Sequence, residues 1–411
     1  MLENVKLEEA QELILDRVTC LPDETVPLLN ALGCYIYQDI YAPVDLPSCR
    51  KSALDGYAVS VNKEAKSYSF RIVDTLETGS IPRGFMLEVG QAARVATGDM
   101  VPEGTVAVIP QEATRQEGDL LRYTGNIKQG NNIRPQGEDF KANDLLLQRG
   151  TAINAGAVGV LAAFGMKKVP VFRRPRVAIL GLGQGVVSHK TKPAPGRIRD
   201  SNGPLLAALA MNHGAQVVDV ELAVDGDLSQ VKNILEELLR RADIVLTTGG
   251  TARGEYDQAL WAVRQTGARV LFWELQIKPG SHSGAAVCED KLIISLSGNP
   301  AACSAGYHLL AAPVLRLMQG QNFYARRVKA VCADDFPKKG GPRRFLQGHL
   351  ETGPNGLRVS ILSGQKSSMM RGLLKNGNVL IDLPAGQPPL AQGDEVTVII
   401  LESNRTQAQI I

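Results

Sequence analysis

The chain holds six cysteines, Cys20, Cys34, Cys49, Cys288, Cys303 and Cys332, but no C-x-x-C pair. Scattered in this way they read as small buried hydrophobes of a reducing compartment, which excludes a disulfide scaffold and a cysteine zinc site. The five histidines, His189, His213, His282, His308 and His349, show no i, i+4 pair, so a histidine zinc centre is excluded too. No apolar run is long enough to cross a bilayer, and the longest, 152–166, is rich in glycine and alanine. The opening Met-Leu-Glu-Asn-Val-Lys is charged from the start, unlike a secretory signal. A cytoplasmic chain with no membrane partner is expected. Neither sign of charge is in large excess, with 45 Lys and Arg against 42 Asp and Glu for a net of +3. That balance makes no electrostatic case for a nucleic-acid partner. The P-loop pattern G-x-x-x-x-G-K-[ST] is absent, and in Gly181-Leu-Gly-Gln-Gly185 the third glycine of the dinucleotide fingerprint is replaced by Val186.

What the chain does have is three short apolar runs that each end in glycine and small polar residues. Arg176-Val-Ala-Ile-Leu180 enters Gly181-Leu-Gly-Gln-Gly185, and Asp243-Ile-Val-Leu-Thr247 enters Thr248-Gly-Gly-Thr-Ala-Arg-Gly-Glu-Tyr-Asp257. Lys291-Leu-Ile-Ile-Ser-Leu296 enters Ser297-Gly-Asn-Pro300. Helix-length segments lie between them, which is the alternation of a doubly wound, largely parallel α/β sheet. Ligands of such sheets sit beyond the carboxyl ends of the strands, where these glycines cluster. Glycine lets the main chain turn sharply and bring N–H groups to an anion. Three such loops at one edge point to an anionic ligand.

At 411 residues the chain exceeds one ordinary core, and roughly two to four domains are expected. The spacing of Leu7, Ala10, Leu13 and Ile14 predicts a helix over 6–17. A helical or mixed segment follows over 26–37. Residues 48–140 carry short alternating runs at 68–73, 91–96, 106–110 and 120–123, the texture of an inserted β-rich domain. The flanking pieces, 1–47 and 141–173, are expected to pack together as a discontinuous N-terminal domain. The α/β domain spans 174–322, with strands near 176–181, 216–222, 243–247, 269–275 and 291–296 and helices near 203–213, 227–241, 255–266 and 300–318. Over 323–411 short strands without an intervening helix predict a C-terminal β-barrel or sandwich.

Gly249 and Gly250 free the main chain to wrap an anion. Beyond them Arg253, followed by Gly254, adds a bidentate hold, and Asp257 can hold a divalent ion or a hydroxyl. The competing account of Glu255 and Asp257 is the first turn of a helix, where the macrodipole favours acids. Lys278-Pro-Gly280 offers a lysine at a stiff corner, suited to a phosphate or oxyanion, or simply a solvated turn lysine. Asp200-Ser-Asn202 and Asp225-Gly-Asp227 read as helix caps, with Asp200 and Asp225 sharing a second duty. In the β-rich part, Ser52-Ala-Leu-Asp-Gly-Tyr-Ala-Val59, Thr97-Gly-Asp99 and Gly137-Glu-Asp139 are acid-bearing turns.

Together with Pro43-x-Asp45-x-Pro47 and Gly298-Asn-Pro300, these motifs occur in the order seen in the MoeA and gephyrin E-domain family of molybdopterin molybdenumtransferases. The sequence resembles that family along almost its whole length. The resemblance implies a homodimer in which Asp55 completes a site made mainly by the partner chain. It implies transfer of molybdenum from molybdate into adenylylated molybdopterin with release of AMP, a magnesium ion held by Asp55 and Asp257, and a molybdopterin adenylyltransferase as partner. The implied catalytic groups are Asp55, Asp139, Asp225, Asp257 and Lys278. Thr97, Asp200, Gly249, Gly250, Arg253, Gly254, Gly298, Asn299 and Pro300 would bind the pterin substrate.

Four departures accompany the resemblance. Leu182-Gly-Gln-Gly-Val186 stands where the family usually has Thr-Gly-Asp-Glu-Leu, so both acids are lost. Lys278-Pro-Gly-Ser281 replaces Lys-Pro-Gly-Lys, Ser297-Gly-Asn-Pro300 replaces Pro-Gly-Asn-Pro, and Gly364-Gln-Lys-Ser367 replaces Gly-Gln-Gly-Ser. Gln184 and Gly185 open an alternative, a molybdopterin-binding or scaffolding paralogue without metal insertion.

Overall fold

A computed structural model of the chain describes residues 2–62, 67–75, 85–223, 227–251, 257–338, 340–353, 356–362, 373–374 and 377–401. It divides into two compact units. One comprises Met1–Gln38, Arg149–Ala155 and Lys168–Ile411, and the other Asp39–Gln148 and Gly156–Lys167.

The larger unit is built on a seven-stranded sheet in the order Leu2–Val5, Arg269–Leu275, Gly284–Cys288, Lys291–Leu296, Ile244–Gly249, Arg176–Leu182, Gln216–Ala223. Only Gly284–Cys288 runs antiparallel to its neighbours, so the other six strands end at one edge. Side chains alternate across the sheet as the pleat requires. Val177 and Ile179 face one core with Leu206 and Leu310, while Ala178 and Leu180 face another with Val231, Leu235 and Ala262. From the strand Arg176–Leu182 the chain goes first to one neighbour and then to the other. The gap between Arg176–Leu182 and Ile244–Gly249 is therefore the switch point where such sheets take ligands.

The five expected α/β strands are present, and two more join them. Leu2–Val5 pairs with Arg269–Leu275, a non-local contact that no local pattern announces. The helix Leu7–Leu15 then buries Leu7, Ala10 and Ile14 in the same core as the sheet. Gly284–Cys288 is made of small residues, and a Cβ on Gly284 would lie 2.2 Å from the Trp273 ring. Small side chains with weak strand preference are thus a packing requirement here.

The segment expected to be helical or mixed over 26–37 contributes a strand, Asp23–Pro27, paired antiparallel with Lys168–Phe172, and a short 3₁₀ turn, Leu28–Ala31. The long helix expected over 300–318 is interrupted. Pro300–Gly306 and Ala312–Met318 are α-helical, and Tyr307–Ala311 between them is a π-turn. Pro313 lacks the N–H an unbroken helix would use, and the wider turn absorbs the mismatch.

The C-terminal strands close into a five-stranded barrel, Arg343–Gly353, Gly356–Ile361, Arg327–Cys332, Glu395–Ile400 and Val379–Leu383, the last pairing back to the first. Closure removes the exposed edges of so small a sheet. A two-residue strand, Ile277–Lys278, adds to Arg343–Gly353 in parallel register, with Lys278 opposite Arg344.

The smaller unit contains a six-stranded sheet in the order Ala107–Pro110, Gly56–Val59, Gln91–Val95, Tyr68–Thr75, Leu120–Tyr123, Thr114–Glu117. Gly56–Val59 sits inside the sheet, and a Cβ on Gly56 would lie 2.0 Å from the Ile109 carbonyl oxygen. Residues of the pieces 1–47 and 141–173 pair with one another, Asp23–Pro27 with Lys168–Phe172 in the larger unit and Ile40–Tyr41 with Leu145–Leu147 in the smaller one, while residues 2–15 join the α/β core.

Candidate functional site

The carboxyl edge of the large sheet gathers most of the expected site residues of that unit. Gly249 has a φ of 79° and Gly250 one of 64°, left-handed values that favour glycine. The switch-point packing is equally restrictive, since a Cβ on Gly249 would lie 2.1 Å from the Leu182 carbonyl oxygen. Gly298 presses against Gly249 in turn, for a Cβ on Gly298 would meet Gly249 Cα at 3.1 Å. Asn299 caps the following helix by accepting from the N–H groups of Ala301 and Ala302 at 3.1 and 3.4 Å, and Pro300 takes the first position, where no N–H is needed.

Asp200 is buried and accepts from the Gly203 N–H at 3.0 Å. Asn202 belongs to the same motif but was not among the expected binding residues. It is buried, and its Nδ2 donates to Thr248 Oγ1 at 2.9 Å and to the Gly298 carbonyl at 2.8 Å. The Thr248 hydroxyl donates to the Ser297 carbonyl at 3.1 Å. One carboxamide thus ties a helix start to two strand-end loops.

Beside these loops lies a cavity of about 1290 Å³, whose walls include Thr251, Lys278, His282 and Asn299 from the α/β side and Phe336, Lys338, Arg344 and Leu346 from the barrel side. Among the described residues its lining holds Lys278, Lys338 and Arg344 but no carboxylate. None of these three cations makes a salt bridge or side-chain hydrogen bond with a described residue. Lys338 and Arg344 had no place among the expected site residues. The signal was the basic run Lys338-Lys-Gly-Gly-Pro-Arg-Arg344, which lies far along the chain from any strand-end glycine. Next to the cavity, His282 Nδ1 lies 3.3 Å from Glu274 Oε1.

Asp257 is placed as a helix cap. Its Oδ1 accepts from the Leu260 N–H at 2.8 Å and its Oδ2 from Trp273 Nε1 at 2.9 Å. Burial raises its pKa above the ordinary aspartate value, against the pull of those two donors. Magnesium takes a rigid octahedron of oxygens in which one or two carboxylates accompany waters and substrate phosphates. Asp257 has both oxygens engaged by the protein and the described cavity lining adds no acid, so neither supplies the free carboxylates that ion needs.

Asp55, Thr97 and Asp139 belong to the smaller unit. Asp55 Oδ1 accepts from the Thr97 N–H at 2.7 Å and the Thr97 hydroxyl at 2.8 Å. The Thr97 N–H, followed by the hydroxyl, holds the Asp55 carboxyl below its usual pKa. Arg134 Nη2 donates to both Asp139 oxygens, at 3.0 and 2.8 Å. Asp225, Arg253, Gly254 and the Gly364–Ser367 motif lie outside the described residues.

Three family descriptions match in chain order, "MoeA N-terminal region (domain I and II)" over residues 5–165, "Probable molybdopterin binding domain" over 178–317 and "MoeA C-terminal region (domain IV)" over 329–401. A molybdopterin molybdenumtransferase of Staphylococcus epidermidis is 32% identical over 413 aligned positions, covering 99% of this chain and 98% of its own. One from Staphylococcus aureus is 30% identical over the same span. Among solved structures, a molybdopterin biosynthesis MoeA protein from Pyrococcus horikoshii superposes with a TM-score of 0.84 at 25% identity, over 97% of this chain and 100% of that one.

Proposed function

Because the chain belongs to the MoeA family of molybdopterin molybdenumtransferases, we propose that it acts in molybdenum cofactor biosynthesis by cleaving adenylylated molybdopterin and inserting molybdenum from molybdate. The observation that carries this reading is the cavity at the carboxyl edge of the sheet, lined by Thr251 and Gly298 and walled by Lys278, Lys338 and Arg344. Water adds to a phosphorus of the anhydride, a P–O bond forms, the bridging P–O bond breaks, AMP leaves with its electron pair, and the proton lost by the water passes to the departing phosphate or to solvent. The negative charge that develops on the phosphoryl oxygens is met by Lys278 as a point charge and Arg344 as a planar fork. Molybdate, itself an oxyanion, suits the same cations. The loop residues Gly249, Gly250 and Gly298 present main chain to the pterin phosphate, with Asp200, Asn299 and Pro300 shaping that wall. Arg253 and Gly254, next in sequence after Thr251, and Asp225, two positions after Ala223, are assigned to the same ligand.

In this reading the protein is a homodimer in the cytoplasm. Asp55, held by Thr97, completes the partner chain's cleft with Asp139 assigned to the same cleft, and adenylylated molybdopterin arrives from a molybdopterin adenylyltransferase. No step runs through magnesium. A second reading is favoured by the loop after Leu182, where Gln184 is exposed and no carboxylate stands. It keeps pterin binding and omits turnover.

The deciding experiment incubates the purified protein with adenylylated molybdopterin and molybdate. Release of AMP together with molybdenum cofactor able to activate an apo-molybdoenzyme supports insertion. Stoichiometric retention of the intact adenylate selects the binding paralogue, and no retention at all removes both.

A further inference from the structure

We infer that this chain grips the phosphates of its ligand with its own side-chain cations and takes the anion free of divalent metal. The inference rests on the reading of the cavity as the site of a phosphorylated ligand, and it concerns how charge is balanced there.

Two independent observations carry it. First, among the described residues the cavity wall combines Lys278, Lys338 and Arg344 with no carboxylate, and none of the three cations has a described acidic partner to neutralise it. Lys278 and Arg344 face each other across a main-chain pairing, so two of the charges are held in fixed register. Of the two acids expected to hold a metal, Asp257 has its oxygens occupied by Leu260 and Trp273, and Asp55 belongs to the smaller unit with its Oδ1 held by Thr97. Second, the loop that leaves the same sheet edge after Leu182 carries Lys190, Lys192, Arg197 and Arg199 and no acid from Gly183 to Arg199. All four of these cations are exposed. The loop is held in shape by pairing of Val186–Val187 with Ile198–Arg199 and by donation from Arg199 Nε to the Thr191 carbonyl.

A diphosphate brings two or more negative charges. It can be balanced by a divalent ion, which then needs hard oxygen ligands from the protein, or by guanidinium and ammonium groups, which need none. Cations on a wall whose described lining holds no acid repel a metal ion while they attract the anion. Of the two arrangements, the described cavity lining supplies the second.

The test measures binding of ADP to the intact protein by calorimetry, in EDTA and in excess Mg²⁺. The expected result is an ADP affinity that Mg²⁺ leaves unchanged or weakens by withdrawing free ADP. Lys338→Ala and Arg344→Ala should each lower it about tenfold with Mg²⁺ unable to restore it, while Lys338→Arg retains most of it; a thermal melt of each variant confirms folding. A tenfold gain in affinity on adding Mg²⁺ to the wild type, or folded Lys338→Ala and Arg344→Ala proteins that bind as the wild type does, would overturn the inference. Failure of the protein to release AMP from adenylylated molybdopterin, with ADP binding behaving as expected, would count against the catalytic reading and leave this one standing.

Discussion

The indole Nε1 of Trp273 donates to Asp257 Oδ2 at 2.9 Å, fastening the start of the helix Gln258–Gln265 to the strand Arg269–Leu275. Asp257→Ala removes a helix cap and leaves a buried N–H unpaired, a loss of about 2–3 kcal/mol in urea denaturation. Asp257→Asn keeps a carbonyl oxygen for one of the two donors and should cost less than half as much. A folded Asp257→Asn protein that loses ADP affinity more than tenfold would return this residue to a ligand-holding role.

Two histidines withdrawn from solvent, His213 fully and His308 in large part, make the fold acid-sensitive. Burial pushes His213 down to about 4 and His308 to about 3, with Arg316 adding repulsion to both. Between pH 6.5 and these values the unfolded chain takes up protons that the folded chain refuses. Stability is therefore complete above about pH 6.5 and lost as pH falls from there toward 4, by about 2 kcal/mol per ring at pH 5. Thermal unfolding from pH 7.5 to 5 should show the decline, and His308→Leu should reduce it by about half. An unaltered slope in that variant would assign the decline to other groups.

Gly249→Ala and Gly98→Ala separate conformational strain from crowding. Both glycines have left-handed φ, 79° and 86°, but a Cβ at Gly249 collides with the Leu182 carbonyl at 2.1 Å whereas nothing lies within 4 Å of one at Gly98. Gly98→Ala should cost about 1–2 kcal/mol, the left-handed penalty alone. Gly249→Ala should cost clearly more in the same urea titration and should also weaken ADP binding.

Subunit exchange tests the placement of Asp55. If Asp55 serves the partner's cleft while Lys278 serves its own, a dimer of one Asp55→Ala chain and one Lys278→Ala chain holds one intact site and one doubly altered site. Each single variant should be nearly inactive in AMP release, and a refolded equal mixture should recover about a quarter of the wild-type rate, since half of randomly assorted dimers are mixed. No recovery would place both residues in the same chain's site or remove the dimer from the mechanism.

Much of the fold was legible because its signals are local. The strand-end glycines at 181–185, 248–250 and 297–300 and the alternation of the five α/β strands could be read without knowing any neighbour. What escaped reading was non-local. Leu2–Val5 is a strand only because Arg269–Leu275 lies beside it, and Lys338 and Arg344 reach the cavity only because the barrel closes against the α/β edge. The competing roles of Asp257 were both visible in its position at a helix start. Trp273, sixteen residues on, engages the second oxygen, and nothing in the local pattern announces that pairing.

The short pairing of Ile277–Lys278 with Arg343–Arg344 acts as a built-in caliper. The distance between an ammonium and a guanidinium is ordinarily at the mercy of two mobile loops, yet here both stems spring from one rung of a β-ladder. Any hinging that swings the barrel must either carry Lys278 with it or snap that ladder, so the spacing offered to an oxyanion is inherited from peptide geometry.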